Sequence, residues 1–263
     1  MDSPPAQVES VYQRRCSKML LDIAVLLMSS GAHTERVNRN ISRLSESLGF
    51  HTELLFSLSG ITLTSSVPGK PGPHYTSFRR IGAYGVHMGV VSAISRLSWK
   101  AAEGKAGFAD IRQEVERIKA LPHYPKPLLL LMIILAGMAF CRVAGGELYP
   151  VILAGLATGC GFLTRNALLH RGYNLAMSIC VAAFIASSLS GLGIVWNLGE
   201  SPEIAVATSV LFLIPGVPMI NSIIDLMHGH IVVGHGRAVQ GVVISFSIAM
   251  GIVLSSSALG ILS

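Results

Sequence analysis

The sequence predicts an α+β domain followed by an all-α polytopic membrane domain of about five helices, and three observations carry that prediction. Charge is unevenly placed: residues 1–127 hold 16 of the 20 Lys and Arg and 10 of the 14 Asp and Glu, while 128–263 hold four of each. Charged residues make up only 13% of the chain, about half the share of an ordinary soluble domain. A Pro-rich hinge at 122–127 (PHYPKP) is then followed by five apolar segments separated by short polar loops.

The domain expected over 1–121 begins with a polar stretch, so no signal peptide is expected there. The apolar run 19–28 is interrupted by Asp22 and is too short to cross a bilayer, so it reads as a buried helix. Residues 34–48 place Val37, Ile41, Leu44 and Leu48 on one stripe of an amphipathic helix. Thr34 is the expected cap, Gly49 the stop, and Glu35 with Arg39 a favourable pair one turn apart. Strand character follows at 51–58 and 61–67 around a Ser59-Gly60 turn. After the loop 68–73 comes a short strand near 74–78, then helices at about 86–102 and 110–120. Asp110 and Gln113 resemble a capping box. The domain shows neither a phosphate-binding glycine loop nor a nucleophile elbow.

The membrane helices are expected at about 128–144, 149–168, 175–196, 204–225 and 239–261. The second has a short apolar core and must extend past Arg165 to span. Its Gly155 and Gly159 allow a neighbouring helix to approach closely. With the N-terminus in the cytoplasm of a bacterial cell, the inner loops carry Arg165, Arg171 and Arg237. The outer loops carry Arg142 with Glu147, Glu200 and Glu203. That distribution follows the positive-inside rule for the inner membrane and puts the C-terminus outside. The same rule accounts for the net charge of +6. The basic residues are scattered without interleaved aromatics, which argues against nucleic acid. Cys16, Cys141, Cys160 and Cys180 are far apart and read as small buried hydrophobes.

Chemistry concentrates in 211–225, LFLIPGVPMINSIID. Pro215 and Pro218 should break or kink the helix, and broken backbone at membrane depth is tolerated only where protein or a water-lined cavity covers it. Asn221, Asp225 and His228 share one helical face just beyond Pro215, Gly216 and Pro218. A carboxylate in such a segment marks a substrate or proton pathway. The bland alternative is a structural kink with Asp225 bonded to a neighbouring helix at the cytoplasmic end of the span. His228, His230 and His235 invite a metal or, for His228, proton coupling. With no further carboxylate or cysteine nearby, a solvated loop is the simpler reading, and no metal or cofactor is expected. Arg165 and Asn166 could meet an anionic substrate, or Arg165 could snorkel to the interface. Thr34, Glu35 and Arg36 could form a cytoplasmic access site, or serve only as cap and surface pair.

Three stretches together resemble the threonine/serine exporter family: SGAHTERVNRNISRLSESLGF, the YP-containing hinge, and LFLIPGVPMINSIIDLMHGHIVVGHGRAV. The resemblance covers nearly the whole chain in order. His33 and Asn38 depart from it, standing where many relatives carry acidic residues, which leaves Glu35 as the nearest carboxylate. The resemblance implies the larger subunit of a split, two-component exporter, and hence an oligomer with a separate small polytopic membrane subunit. It also implies a small carboxylate substrate, either a dicarboxylate such as succinate or threonine and serine. The odd span count fits a half-transporter. The rivals are a membrane-anchored hydrolase and a regulatory subunit whose partner holds the pathway.

Overall fold

The computed structural model describes residues 6–69, 74–82, 85–122 and 124–261, with the backbone alone at 6–10. Part of the expected loop 68–73 and His123 of the expected hinge lie outside the described residues. The chain is mostly helical: α1 (Ala6–Ser29), α2 (Thr34–Ser47), strands β1 (His51–Phe56), β2 (Gly60–Ser66) and β3 (Tyr75–Arg80), then α3 (Met88–Ala102), α4 (Phe108–Lys119), α5 (Lys126–Val143), α6 (Leu148–His170), α7 (Leu175–Val195), α8 (Glu203–Ser209), α9 (Gly216–Met227) and α10 (Ile231–Ala258). The strands form one antiparallel sheet in the order β1-β2-β3, with Phe56 opposite Ile61 at the first turn.

Contacts divide the chain into two compact units. One is Met1–His123 with Val217–Ala238; the other is Tyr124–Gly216 with Val239–Ser263. The sequence suggests a single cut at the hinge, whereas the contacts return α9 and the first two turns of α10 to the N-terminal unit.

In the first unit the core joins Leu20, Ile23 and Leu27 of α1, Val37, Ile41 and Leu44 of α2, Ile61 and Leu63 of β2, Ile94 of α3, Ile111 of α4 and Val233 of α10. α1 is longer than the expected buried run, and over residues 11–18 it buries only the side that carries Gln13, Cys16 and Ser17. On that side the Gln13 side-chain amide donates to the Ser65 carbonyl at 2.9 Å, and the Ser17 and Ser65 hydroxyls lie 2.7 Å apart. Burial pushes the neighbouring Cys16 thiol up to about 11 and the Tyr12 phenol up to about 12.

Two caps differ from expectation. α2 is capped by His33, whose Nδ1 accepts the Arg36 N–H at 3.3 Å, so Thr34 is the first helical residue. An imidazole nitrogen replaces the expected hydroxyl as acceptor. α4 has Gly107 at its N-cap, and Asp110 Oδ2 accepts the Gly107 N–H at 2.9 Å instead of opening a box with Gln113.

In the second unit α5, α6, α7 and the later part of α10 are long and apolar enough to cross a membrane. The bent pair formed by α8, its 3-10 extension Leu211–Leu213 and α9 brings the number to five if it counts as one span. α5 and α6 approach at Gly155 and Gly159, where an added Cβ would meet Met138 and Ile134. Gly251 of α10 lies against the Cys180 carbonyl of α7, leaving no room for a Cβ. Interior hydroxyls are partnered, as an apolar surround requires: Thr158 donates to the Ser209 carbonyl at 3.1 Å, and the Ser190 and Ser209 hydroxyls lie 3.1 Å apart. Cys16 and Cys141 are buried and Cys180 partly so, but Cys160 is exposed. The expectation that it is buried fails because an apolar helix surface in a membrane protein needs no protein cover.

Candidate functional site

The expected fourth span is two helices. The chain breaks at Ile214, whose ψ is 128°, and α9 starts at Gly216. Pro215 precedes the helix and Pro218 lies in its first turn, where its missing N–H leaves no intrahelical bond unmade. The expectation that both prolines distort a helix therefore holds only for the break at Ile214–Pro215. Pro218 helps α9 begin.

Beyond the break, α9 presents Asn221 and Asp225 to the loop joining α1 and α2. Asn221 donates its side-chain amide to the Gly31 carbonyl at 2.8 Å. Asp225 is fully buried: one oxygen accepts the Thr34 N–H at 2.8 Å and the other takes the Arg237 guanidinium at 2.5 Å. Arg237, only 4% exposed, also donates to the Ala32 carbonyl at 3.1 Å. The carboxylate therefore sits at the N-terminus of α2, where helix amides and dipole favour an anion, and its charge is balanced by an arginine. The Thr34 hydroxyl is buried and, among the described residues, has no hydrogen-bond partner.

The sequence reading missed Arg237 and assigned it to an inner loop. A usable signal is present: Asp225 is the only Asp or Glu and Arg237 the only Lys or Arg in the sequence from 204 to 263. Buried charges are paired.

The remaining candidates are more scattered. His228 lies past the end of α9, exposed, with Nδ1 2.8 Å from the Ile224 carbonyl and its ring 6.5 Å from that of His33. It does not share the buried face of Asn221 and Asp225. Burial pushes His33 below its ordinary range; Arg39, Arg36 and His228 add to this and Asp225 opposes it. Glu35 stands 3.7 Å from Arg39 and 3.6 Å from the His230 ring. Arg36 turns toward α3, its guanidinium donating to the Ser95 hydroxyl at 3.3 Å. Among the described residues no three His, Cys, Asp or Glu side chains gather as metal ligands. In the other unit, Arg165 and Asn166 are half-buried on α6. The Arg165 Nε is buried and, among the described residues, has no hydrogen-bond partner.

A chain with four helices long and apolar enough to cross a membrane, and a further broken pair that counts as a fifth, is a polytopic membrane protein. It belongs to the threonine/serine exporter family: the model described as "Putative threonine/serine exporter" matches residues 18–259. A protein of Klebsiella aerogenes named "Probable succinate transporter subunit YjjP" is 30% identical over 97% of this chain and 98% of its own length. Its namesake in Escherichia coli K12 is 27% identical over 97% and 98%. A "Probable threonine/serine exporter" of Mycobacterium tuberculosis is 20% identical over 94% of this chain but only 47% of its own length. No solved structure matches. These relationships place the chain among transporters and not among membrane-anchored hydrolases.

Proposed function

We propose that this chain is one subunit of a bacterial inner-membrane exporter for small carboxylates, with the N-terminal unit in the cytoplasm. Dicarboxylates such as succinate are the first substrate class and the hydroxy amino acids threonine and serine the second. The observation that carries the reading is Arg165, a guanidinium on an apolar helix whose Nε is buried with no hydrogen-bond partner among the described residues. A buried donor without an acceptor is costly, and a carboxylate supplied by substrate would satisfy it. Asn166, next to it on the same helix, would hold the substrate's second polar group.

The names of the Klebsiella and Escherichia relatives support the dicarboxylate class and a second subunit. The Mycobacterium exporter, more than half of which lies outside the match, supports a small polytopic partner supplying the rest of the machinery. In this reading Asn221 and Asp225 act by holding the α1–α2 loop, and the break at Pro215 gives α9 the freedom to do so.

The test is efflux from vesicles containing the chain with and without the small membrane protein of an adjacent reading frame, loaded with succinate or threonine. Transport that requires both proteins and falls at least about tenfold in Arg165→Gln, as loss of one charge-assisted contact predicts, is the expected result. Wild-type efflux by Arg165→Gln at normal abundance would overturn the assignment.

A further inference from the structure

A second concavity lies in the N-terminal unit. α1 and α4 flank an open cavity of about 510 Å³, lined by Arg15, Lys18, Met19 and Asp22 on one side and Arg112, Val115, Glu116 and Lys119 on the other. A neighbouring cavity of about 350 Å³ shares Asp22 and Lys119 and adds Arg79. The walls are held rigidly. α1 is fixed to the sheet by Gln13 and Ser17, while Ile111, Val115 and Ile118 anchor α4 in the core.

Charge balance in this trough is incomplete. Asp22 pairs with Arg79, and Glu116 with Lys119 at 2.8 Å. Arg15, Lys18 and Arg112 are left, among the described residues, without an ion-pair or hydrogen-bond partner. Three uncompensated cations on the two walls of one concavity, over a floor of Met19 and Val115, create a local positive potential that low-dielectric walls focus.

We propose that this trough binds a small organic anion carrying phosphate or carboxylate groups, and that it is a ligand site separate from the transport pathway. Arg15 and Arg112, one on each wall, present forked donors suited to paired anionic oxygens, and Lys18 adds a point charge. Phosphate chemistry can arrive as a free ester or as a lipid headgroup.

The test is calorimetric titration of the purified full-length protein in neutral detergent with inorganic phosphate, glycerol 1-phosphate, succinate and short-chain phosphatidylglycerol. The same probes are then titrated into Arg15→Gln/Lys18→Gln/Arg112→Gln, whose substituted side chains are all exposed and whose fold should survive. Saturable binding of at least one probe, weakened about tenfold or more in the variant as loss of charge-assisted contacts requires and weakened by salt, is the expected result. Binding of phosphatidylglycerol but not of the free anions would identify the headgroup as the source; the reverse pattern would identify a soluble ligand. Absence of saturable binding by every probe, or binding equal in wild type and variant, would overturn the proposal. Because Arg165 is untouched, neither result bears on the exporter assignment.

Discussion

Arg237 and Arg165 are both arginines in apolar helices, yet they occupy opposite electrostatic situations. Arg237 is buried against Asp225 and the Ala32 carbonyl, its charge balanced within the chain. Arg165 is half-buried with an Nε that meets no acceptor among the described residues. A buried charge that is paired serves the fold, and removing either partner exposes the cost of the other. A cation left open in a membrane unit has no such structural return, which makes it the better candidate for substrate. The contrast moves the functional weight from the Pro215–Asp225 segment, where the sequence concentrates it, to α6.

The largest expected effect breaks the pair that is closed. Asp225→Ala or Arg237→Ala alone should each cost about 3–5 kcal/mol, read as loss of folded protein and a lower unfolding temperature in detergent. The double replacement should cost clearly less than the sum. Equal and additive losses would mean that the two side chains do not act as a pair.

Next comes Arg165→Gln, which sharpens the comparison from the other side. Transport should fall about tenfold while stability changes by less than about 1 kcal/mol. An unfolding temperature that drops as far as in Arg237→Ala would show that both arginines are structural.

Asn221→Ala removes the donor to the Gly31 carbonyl and should cost about 1–3 kcal/mol, with hydrogen exchange rising first in the loop 30–33. The smallest effect concerns His33. Its proton affinity is lowered from the ordinary 6.5, so the unfolded chain takes up the proton first. Its contribution to stability is therefore complete above pH 6.5 and is lost as the pH falls below that value toward the folded one. His33→Asn keeps a capping acceptor and should flatten that slope; an unchanged pH profile would remove His33 from the account.

Much of the fold was legible because local signals agreed with the tertiary result. The stripe Val37, Ile41, Leu44 gives α2 and its buried face, and Ser59-Gly60 marks the turn between β1 and β2. Gly155 and Gly159 indicate the close contact with α5. Legibility failed where a long-range partner changes what a residue is worth. α10 begins at Ile231 and not near 239, because Arg237, read alone, looks like a loop charge, whereas neutralised by Asp225 it can lie inside a helix. Thr34 has the better capping side chain by type, but His33 occupies the capping backbone position. Of the candidate site residues, the structure gathers Thr34, Asn221 and Asp225 at one corner. Sequence spacing could not show this, since Thr34 and Asp225 are 191 positions apart.

The exposed Cys160 offers a chemical reporter on α6. It lies one turn before Thr164, whose hydroxyl donates to the Cys160 carbonyl at 2.9 Å, so the two share a strip of helix surface. Thiols alkylate as thiolates, and thiolates need water. A charged, water-borne maleimide that modifies Cys160 as readily as a lipid-soluble one would mark this strip as wetted. Modification by the lipid-soluble reagent alone would mark it as facing acyl chains. The bench chemistry of one sulfur can thus tell which side of α6 an aqueous substrate is able to approach.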